Sequence, residues 1–470
     1  MLFPTLDYLF FLLVVVAAYW SSPQRYRLTV LGVASLVFYA SWDLTYLPAL
    51  LLVSGVAWLA GRLFAAGRAQ GAGTAALLGI LFTPLVIFKY WDWLAWNVEE
   101  ILGWMGVPLA LPSVGLALPV GISFFTFQAV AYTVDARRGG AVEPGLGRLV
   151  TFLAFFPQLV AGPIVRAPEL LPQLKTLPLL KKGMVGEGLF RITKGMLKKL
   201  LIADVIKAAM VDPVFAEPEL YGGLEVLIAL YAYTLQIYYD FSAYTDIAIG
   251  SALLFGLRLP ENFRRPYQAT SVAEFWRRWH ITLSNWVRDY IYYPMGGSKT
   301  DAEWKVYRNI LLTLVTIGLW HGASWNFVIY GVLHGSAVGL NRWQRQRTGR
   351  RPGEPVPGGW WGWLWRFLIT FHFVVLCRIL FRTEALSGAA VICTRLLDIE
   401  LLLPRFSPLT WGLLLLGYGI HFTPTRWVDS LQVWFTQRHP ALQALIAALV
   451  AAACWQMGTR DQLAFIYYRF

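Results

Sequence analysis

The chain has 470 residues, of which 57% are hydrophobic and only 14% are charged. A soluble domain has about 25% charged residues, so this composition excludes an ordinary water-soluble fold and indicates a protein that lies in lipid. The formal net charge of +13 does not indicate nucleic acid binding, because the basic residues cluster in short loops, where they mark the cytoplasmic side of a membrane protein.

The lengths of the apolar runs define the fold class. A helix needs roughly 20 mostly apolar residues to cross a hydrocarbon core that is ~30 Å thick, and many segments between residues 8 and 457 meet or approach this length. Some of these runs are too long for one crossing, and others end in polar residues. We therefore predict an all-α polytopic membrane protein with roughly 10–13 transmembrane helices, some of its segments being re-entrant.

The polar residues divide the chain into four predicted regions. Residues 1–115 contain plain hydrophobic spans and are predicted to be a scaffold of transmembrane helices. Residues 116–340 contain the polar motifs and are predicted to form a catalytic core within the membrane. Residues 341–358 are basic and rich in glycine and proline, which predicts a cytoplasmic connection, and residues 359–470 contain a final set of transmembrane helices.

Two interrupted apolar segments come first. Residues 118–139 place hydroxyl and amide side chains among phenylalanines; hydrogen bonds between helices explain them as well as a substrate path would, and we favour the structural role. In residues 154–174, prolines and a glycine break any helix close to Gln158, so backbone groups must be satisfied by protein or by a water-filled cavity. Two alternatives stay open, a re-entrant or cavity-lining element and a loop at the membrane surface.

A basic helix is predicted within residues 186–210. Arg191, Lys194 and Lys198 are spaced i, i+3 and i+7 and therefore share one face, with leucines and isoleucines opposite. This pattern is typical of a helix that lies in the membrane interface against anionic lipid headgroups. The basic end of an ordinary transmembrane helix is an equal alternative.

Residues 235–250, LQIYYDFSAYTDIAIG, carry polar side chains over much of a predicted helix. Tyr239, Asp240 and Asp246 are costly in hydrocarbon, so we expect this helix to face protein or a wet cavity. A structural ion pair and a cavity lining both explain the pattern. The aspartates need cationic partners, and the sequence offers Arg264, Arg265, Arg277 and Arg278.

His321 is the strongest catalytic candidate. It lies about 13 residues into an apolar run that begins near Asn309, which predicts a position close to the middle of the bilayer at 1.5 Å per residue. A neutral imidazole there offers one hydrogen-bond donor and one acceptor and titrates near neutral pH, as a general base requires. We therefore interpret His321 as a functional residue and not as a packing residue.

His334 follows His321 in the same apolar run. On one continuous helix the two residues would lie ~20 Å apart along the axis and on nearly opposite faces. They can share a site only if Gly322 or Gly331 breaks the helix. A functional and a structural role for His334 are equal alternatives.

His280 lies within a basic and aromatic segment, residues 274–297. Such a rim near a membrane surface suits a phosphate-bearing, nucleotide-containing donor, and it also suits an interfacial belt of tryptophan and arginine. We favour donor binding because the segment ends in the polar, helix-breaking sequence PMGG. The residues predicted to bind the donor are Trp276, Arg277, Arg278, Ser284 and Asn285.

Other reaction classes lack support in the sequence. The chain contains no P-loop, no GxSxG elbow, no HExxH motif and no pair of cysteine ligands. Widely spaced histidines do not form a metal site by spacing alone, and we predict no metal.

Four motifs together resemble the membrane-bound O-acyltransferase family. They are FFPQLVAGPI at 155–164, YYDFSAYTDIAIG at 238–250, RRWHITLSNWVRDYIYYPMGG at 277–297 and GLWHGASWNFVIYGVLHG at 318–335. The match is closest to the bacterial branch that takes part in polysaccharide O-acetylation. LFRTEAL at 380–386 and the C-terminal FIYYRF also resemble this branch.

The resemblance implies a fold pierced by a tunnel, with the family's essential histidine at mid-membrane corresponding to His321 and its companion position to His280. It implies acetyl-CoA as a donor substrate on the cytoplasmic side, with no permanently bound cofactor. The acetyl group would pass through the tunnel, through a periplasmic or membrane-anchored acetyltransferase partner, to an exported alginate- or cellulose-like polysaccharide. The location implied is the bacterial inner membrane.

On this basis the predicted activity is O-acetyl transfer. His321 would be the general base, His280 would position the donor or polarise its carbonyl, and the arginines at 277 and 278 would attract the donor phosphates. Tunnel-lining or structural roles are predicted for Gln158, Tyr239, Asp240, Asp246, Trp325, Asn326 and His334. The alternatives are a non-catalytic polysaccharide transporter or scaffold, and an enzyme of the same family that acylates a protein, a lipid or teichoic acid.

Overall fold

The computed structural model describes residues 3, 5–68, 71–349, 354, 358–398 and 404–458. Within these residues the chain is predominantly helical and forms no β-strand, which confirms the all-α prediction. The C-terminal FIYYRF motif lies outside the described residues. Residues 350–353 and 355–357 of the predicted connection, 341–358, also lie outside them.

The helices vary from single turns to a helix of 32 residues. In chain order they are α1 Leu6–Ser21, α2 Gln24–Ala40, α3 Leu47–Ala65, α4 Ala72–Leu85, α5 Trp91–Trp104, α6 Ile122–Arg137, α7 Leu146–Ala154, α8 Phe156–Leu159, α9 Ala167–Thr176, α10 Met184–Met196, α11 Asp204–Ile206, α12 Asp212–Ala216, α13 Gly223–Leu254, α14 Val272–Arg278, α15 Ile281–Val287, α16 Glu303–His321, α17 Trp325–Arg347, α18 Gly359–Arg382, α19 Leu386–Leu396, α20 Pro408–Phe422, α21 Thr425–Thr436 and α22 Pro440–Gly458. Wider, π-helical turns follow α4, α10, α11 and α15.

Among the residues that the structure describes, three helical segments are long and apolar enough to cross a membrane: Leu44–Ala65, Ala72–Trp104 and Gly359–Arg382. Large apolar side chains lie on the outside of several helices; Phe10 is 71% exposed and Leu13 is 68% exposed. Lipid solvates such side chains, whereas water would not, so the surface agrees with the membrane class. The span count of roughly 10–13 stays a prediction.

The chain forms two compact units that each combine distant parts of the sequence. The first contains Met1–Ile192, Tyr244–Pro260 and Thr436–Ala447, and the second contains Thr193–Ala243, Glu261–Phe435 and Ala448–Phe470. The predicted catalytic core, 116–340, is therefore divided between the units, and its densest polar motifs, from 274 onwards, belong to the second.

In the first unit, the interrupted segment around Gln158 is buried. Residues 154–165 are all buried, α7 ends at Ala154, and the single turn of α8 follows. The Gln158 Nε2 donates to the Phe152 carbonyl at 2.7 Å, which satisfies a backbone group next to the break. The segment is thus an interior broken helix, and the alternative of a surface loop is wrong for these residues.

The basic face predicted within 186–210 contacts protein. In the first unit, Arg191 pairs with Asp246 at 3.4 Å. In the second unit, the Lys198 Nζ donates to the Ser242 Oγ at 3.2 Å. These two cations therefore contact polar residues of α13, and the interfacial position of the helix stays a prediction.

In the second unit, α16 and α17 form a tight antiparallel hairpin. A methyl group added to Gly318 would collide with the Phe327 carbonyl, one added to Gly335 would lie 3.1 Å from the Leu311 Cα, and Gly331 is packed between these points. Contacting residue numbers rise on one helix as they fall on the other. The absence of side chains at these positions lets the two backbones touch, and the connection between the helices begins at the buried Gly322, just after His321.

Candidate active site

His280 occupies a strained position between α14 and α15. Its φ is 44°, in the left-handed region, which costs a residue with a side chain about 1–2 kcal/mol. The side chain is fully buried, and the following residue, Ile281, donates its N–H to the Asn262 carbonyl at 3.0 Å. Backbone strain of this kind persists only where surrounding contacts hold it, and it is concentrated at functional sites.

The hydrogen bonds of Asn262 define the proton position on His280. The Thr282 backbone N–H can only donate, and it lies 3.2 Å from the Asn262 Oδ1, which also accepts from the Thr282 hydroxyl at 2.9 Å. The same oxygen lies 3.2 Å from the His280 Nδ1, so Nδ1 must carry the proton. In the neutral ring, Nε2 is therefore the basic nitrogen.

His321 is the last residue of α16. The helix ends there because Gly322 is extended, with φ −167°, and α17 begins only at Trp325. The sequence required a helix break at Gly322 or Gly331 if His334 was to approach His321. The structure has this break at Gly322. The imidazole of His321 is buried, with 1% of the residue exposed.

An aromatic cluster surrounds both histidines. The ring centroids of His280 and Trp320 are 5.4 Å apart, and the indole of Trp320 lies 5.0 Å from the imidazole of His321. Phe241 contacts His280 at 4.7 Å, and Phe381 contacts His321 at 4.9 Å, both edge to face. The structure thus brings the two predicted catalytic residues to the same indole ring, within an apolar shell that excludes water.

His334 lies on the other side of a shared tyrosine. The Tyr330 ring is 4.3 Å from His334 and 6.4 Å from His321. The Trp276 Nε1 donates to the His334 Nδ1 at 3.3 Å, so a neutral His334 carries its proton on Nε2. Trp276, predicted to bind the donor, is therefore a buried partner of His334.

The two arginines of the predicted donor rim have different environments. Arg277 is exposed, whereas Arg278 pairs with Glu274 at 2.7 Å. Burial, and then the nearby charges of Arg277 and Arg342, lower the pKa of Arg345. The cationic group at this edge consequently consists of the exposed Arg277 and the half-buried Arg342 and Arg345, the last two of which the sequence did not indicate as donor-binding residues.

The other predicted donor-binding residues, Ser284 and Asn285, are half-buried on α15. The Ser284 hydroxyl donates to the Trp279 carbonyl at 3.4 Å, and the Asn285 Oδ1 accepts from Arg288 at 3.0 Å. Both side chains therefore have local partners. Their role with a donor stays a prediction.

The aspartates of α13 pair with cations other than the arginines that the sequence offered. Asp240 lies 2.8 Å from the Lys199 Nζ, which also contacts Asp204 at 2.7 Å. Asp246 pairs with Arg191 in the first unit. Arg191 and Lys199 come from the basic helix α10 and the turn that follows it, a long-range contact with α13 that sequence distance does not show.

Gln158, Tyr239 and Asn326, which were also predicted from the sequence, each donate a hydrogen bond to a backbone carbonyl group. Tyr239 donates to the Gly417 carbonyl at 2.7 Å, and Asn326 donates to the Thr383 carbonyl at 2.7 Å. Trp325 is 46% exposed. Gln158 belongs to the first unit and is described with it above.

Sequence reasoning missed two residues of this site. Asn262 lies in a polar loop after α13 and has no pattern that would single it out. Arg378 is fully buried, and its guanidinium lies 4.5 Å from the Trp279 ring centroid. Its signal was present, since an arginine inside the apolar run 363–381 is costly in a membrane and therefore marks a site.

These features describe a helical membrane protein with imidazoles buried in an aromatic cluster, groups that are chemically able to accept and return a proton. The chain belongs to the membrane-bound O-acyltransferase family, whose sequence profile matches residues 35–381. It is thus an acyltransferase, and the alternative of a non-catalytic transporter or scaffold is wrong.

Relatives named for acyl transfer support this membership. A probable alginate O-acetylase, AlgI, of Pseudomonas aeruginosa is 39% identical over 403 residues, covering 83% of this chain and 73% of the relative. A peptidoglycan O-acetyltransferase of Helicobacter pylori is 34% identical, covering 80% and 74%. A teichoic acid D-alanyltransferase of Bacillus subtilis is 29% identical, covering 73% and 83%.

Proposed function

We propose that the chain transfers acetyl groups from acetyl-CoA to hydroxyl groups destined for an exported polysaccharide, in the cytoplasmic membrane of a bacterium. The observation that carries the proposal is the pair of buried histidines, His280 and His321, that contact one indole ring. Acetylation is favoured over other acyl transfers because the relatives at 34–39% identity are O-acetylating proteins, whereas the D-alanyl relative is 29% identical. A periplasmic or membrane-anchored partner would complete delivery to the polysaccharide.

The chemistry is displacement of a thiol by an alcohol. His321 accepts the proton of the acceptor hydroxyl while its oxygen attacks the thioester carbonyl carbon. The carbon–oxygen bond forms, the tetrahedral intermediate collapses, and the carbon–sulfur bond breaks. The proton taken by His321 then passes to the departing thiolate, so the reaction ends with an ester, a thiol and a neutral histidine.

The tautomer of His280 narrows its role. With Nδ1–H donating to Asn262, a neutral His280 presents only a lone pair at Nε2 and cannot donate a hydrogen bond to a carbonyl. Of the two roles considered from the sequence, positioning is therefore favoured over polarising the carbonyl. An amide N–H of the donor's pantetheine arm is the kind of group that Nε2 would hold.

The arginines at this edge suit the phosphates of the donor. Arg277 is exposed and lies near Arg342 and Arg345, and like charges held together at an edge favour a polyanion. Arg278 is partly neutralised by Glu274, so its share in binding is expected to be smaller.

The first test is turnover of radiolabelled acetyl-CoA by purified protein in nanodiscs, with oligosaccharides of alginate and of cellulose as acceptors. His321→Ala should lower transfer by at least about 100-fold, the usual contribution of a general base. His372→Ala is the matched control, because His372 is a partly buried histidine that bonds Tyr231 at 2.8 Å, away from both predicted catalytic residues.

Retained transfer in a folded His321→Ala protein would refute the proposed mechanism. A wild type that ignores acetyl-CoA but uses a different acyl thioester would refute the donor assignment alone. Transfer to teichoic acid or to a protein, with no transfer to either oligosaccharide in the presence of the partner, would refute the acceptor class.

A further inference from the structure

A guanidinium lies in the interior of the second unit, next to the two histidines. Arg378 belongs to α18, one of the helices that can span a membrane, and none of its surface is exposed. Arginines near the end of such a helix normally extend towards the interface, where the charge is hydrated. This one points inwards. An ionisable residue held inside a membrane helix is costly and is by default a functional site.

The contacts of Arg378 place it in the aromatic shell of the active site. Its guanidinium carbon lies 4.5 Å from the Trp279 ring centroid and 5.4 Å from that of Phe381. Trp279 directly precedes His280, and Phe381 contacts His321. Aromatic stacking uses the flat face of a guanidinium, whereas its N–H groups project in the plane, towards polar neighbours.

Two polar atoms beside Arg378 have no hydrogen-bond partner among the described residues. They are the Tyr330 hydroxyl and the His334 Nε2, on residues that are 1% and 0% exposed, and both residues interact electrostatically with Arg378. Buried polar atoms without partners are rare in folded proteins and call for a ligand. The Trp276 bond to Nδ1 leaves the proton of His334 on Nε2, so that this atom is a donor.

All three groups can therefore donate hydrogen bonds: the guanidinium of Arg378, the hydroxyl of Tyr330 and the Nε2–H of His334. A cluster of donors that includes a cation fits an oxygen atom that carries negative charge. The phosphates of a donor are a poor match, because a polyanion would have to leave water entirely, and the arginines at the edge, of which Arg277 is exposed, already suit it.

We propose that Arg378, together with Tyr330 and His334, stabilises the negatively charged carbonyl oxygen of the tetrahedral intermediate. The inference rests on the proposed acetyl transfer. When the acceptor oxygen bonds to the carbonyl carbon, the electron pair of the C=O double bond moves to that oxygen, and it returns when the carbon–sulfur bond breaks. Donors fixed around this atom are stronger partners in the transition state than in the ground state, so they raise kcat.

The test compares Arg378→Gln with Arg382→Gln in nanodiscs. Arg382 is one turn further on the same helix and pairs with Asp212 at 3.0 Å, which makes it the matched control. Each protein is assayed with acetyl-CoA and with acetyl-pantetheine, a donor without phosphates. Arg378→Gln should lower kcat by about 100-fold or more with both donors and leave KM within about threefold, whereas Arg382→Gln should retain kcat.

Tyr330→Phe provides a variant that removes one hydroxyl and keeps the charge and the volume. It should lower kcat about tenfold without a change in KM, and it decides the matter if Arg378→Gln does not fold. Wild-type kcat in the folded arginine variant, or a loss confined to KM for acetyl-CoA, would overturn the inference, since the latter indicates phosphate binding. A wild type without His321-dependent turnover would overturn the proposed function and this inference with it.

Discussion

The contact between α16 and α17 predicts that one added methyl group will separate them. In Gly331→Ala the new Cβ would lie 2.5 Å from the Val315 Cα and 2.7 Å from the Leu314 carbonyl oxygen. Carbon atoms pack best at about 3.5–4.0 Å, so the helices must separate locally by about 1 Å or more. Because both colliding atoms belong to the backbone, no side-chain rotation can relieve the overlap.

The magnitude follows from two opposing terms. Overpacking costs about 1–3 kcal/mol, and this site should be near the upper value, while replacing glycine by alanine in a helix returns about 1 kcal/mol. The net loss expected is about 1–2 kcal/mol. Gly412→Ala in α20 is the control, because its Cβ would meet nothing within 4 Å, so only the favourable propensity term applies.

The assay is the apparent Tm of both variants in the same detergent, followed by acetyl transfer in nanodiscs. Gly331→Ala should melt several degrees below wild type and lose activity, because His321 lies at the end of the displaced hairpin. Gly412→Ala should melt at or above the wild-type temperature. Equal melting of the two variants would show that the hairpin is not packed as described.

Three further outcomes are expected. Asn262→Ala should lower acetyl transfer about 10–100-fold at unchanged expression, while Asn262→Asp retains more activity, because only the carboxylate still accepts from the His280 Nδ1; equal activities would contradict the tautomer assignment. Lys199→Met should destabilise the protein by about 3–5 kcal/mol, because it leaves the buried Asp240 carboxylate without its cation, and the double variant with Asp240→Leu should recover part of this loss. Both are measured as Tm, and an unchanged Tm in Lys199→Met would contradict the buried ion pair. Arg345→Gln should raise KM for acetyl-CoA about 3–10-fold but leave KM for acetyl-pantetheine unchanged, as measured by initial rates; equal effects on both donors would exclude phosphate binding.

The sequence was sufficient for the membrane class and the family, and it singled out two histidines that the structure places against one indole ring. The lengths of the apolar runs and the composition reflect the lipid environment directly. The motifs around His280 and His321 are continuous in sequence, so they can be recognised without knowledge of the fold. The C-terminal end of α16 was also partly predictable from the sequence, because Gly322 was one of the two positions where a helix break would bring His334 towards His321.

Ion pairs and hydrogen bonds between residues far apart in the chain could not be predicted from the sequence. Asp240 meets Lys199, about forty residues earlier, and the sequence offered the nearer arginines instead, because charge alone does not specify which helix packs against which. Asn262 was missed for the same reason, since its value depends on the backbone turn at His280. Arg378 is different: its cost in an apolar run was visible, and only its place beside the histidines required the fold.

The left-handed backbone at His280 has a consequence for anyone who engineers this protein. Glycine or asparagine occupies that conformation with less strain than histidine does, so a selection for heat resistance alone has reason to replace the residue. Such a selection would enrich variants that are more thermostable but have lost the imidazole. Screens for robust variants should therefore hold position 280 constant, because thermal tolerance there favours other residues, whereas the proposed positioning of the donor requires the histidine.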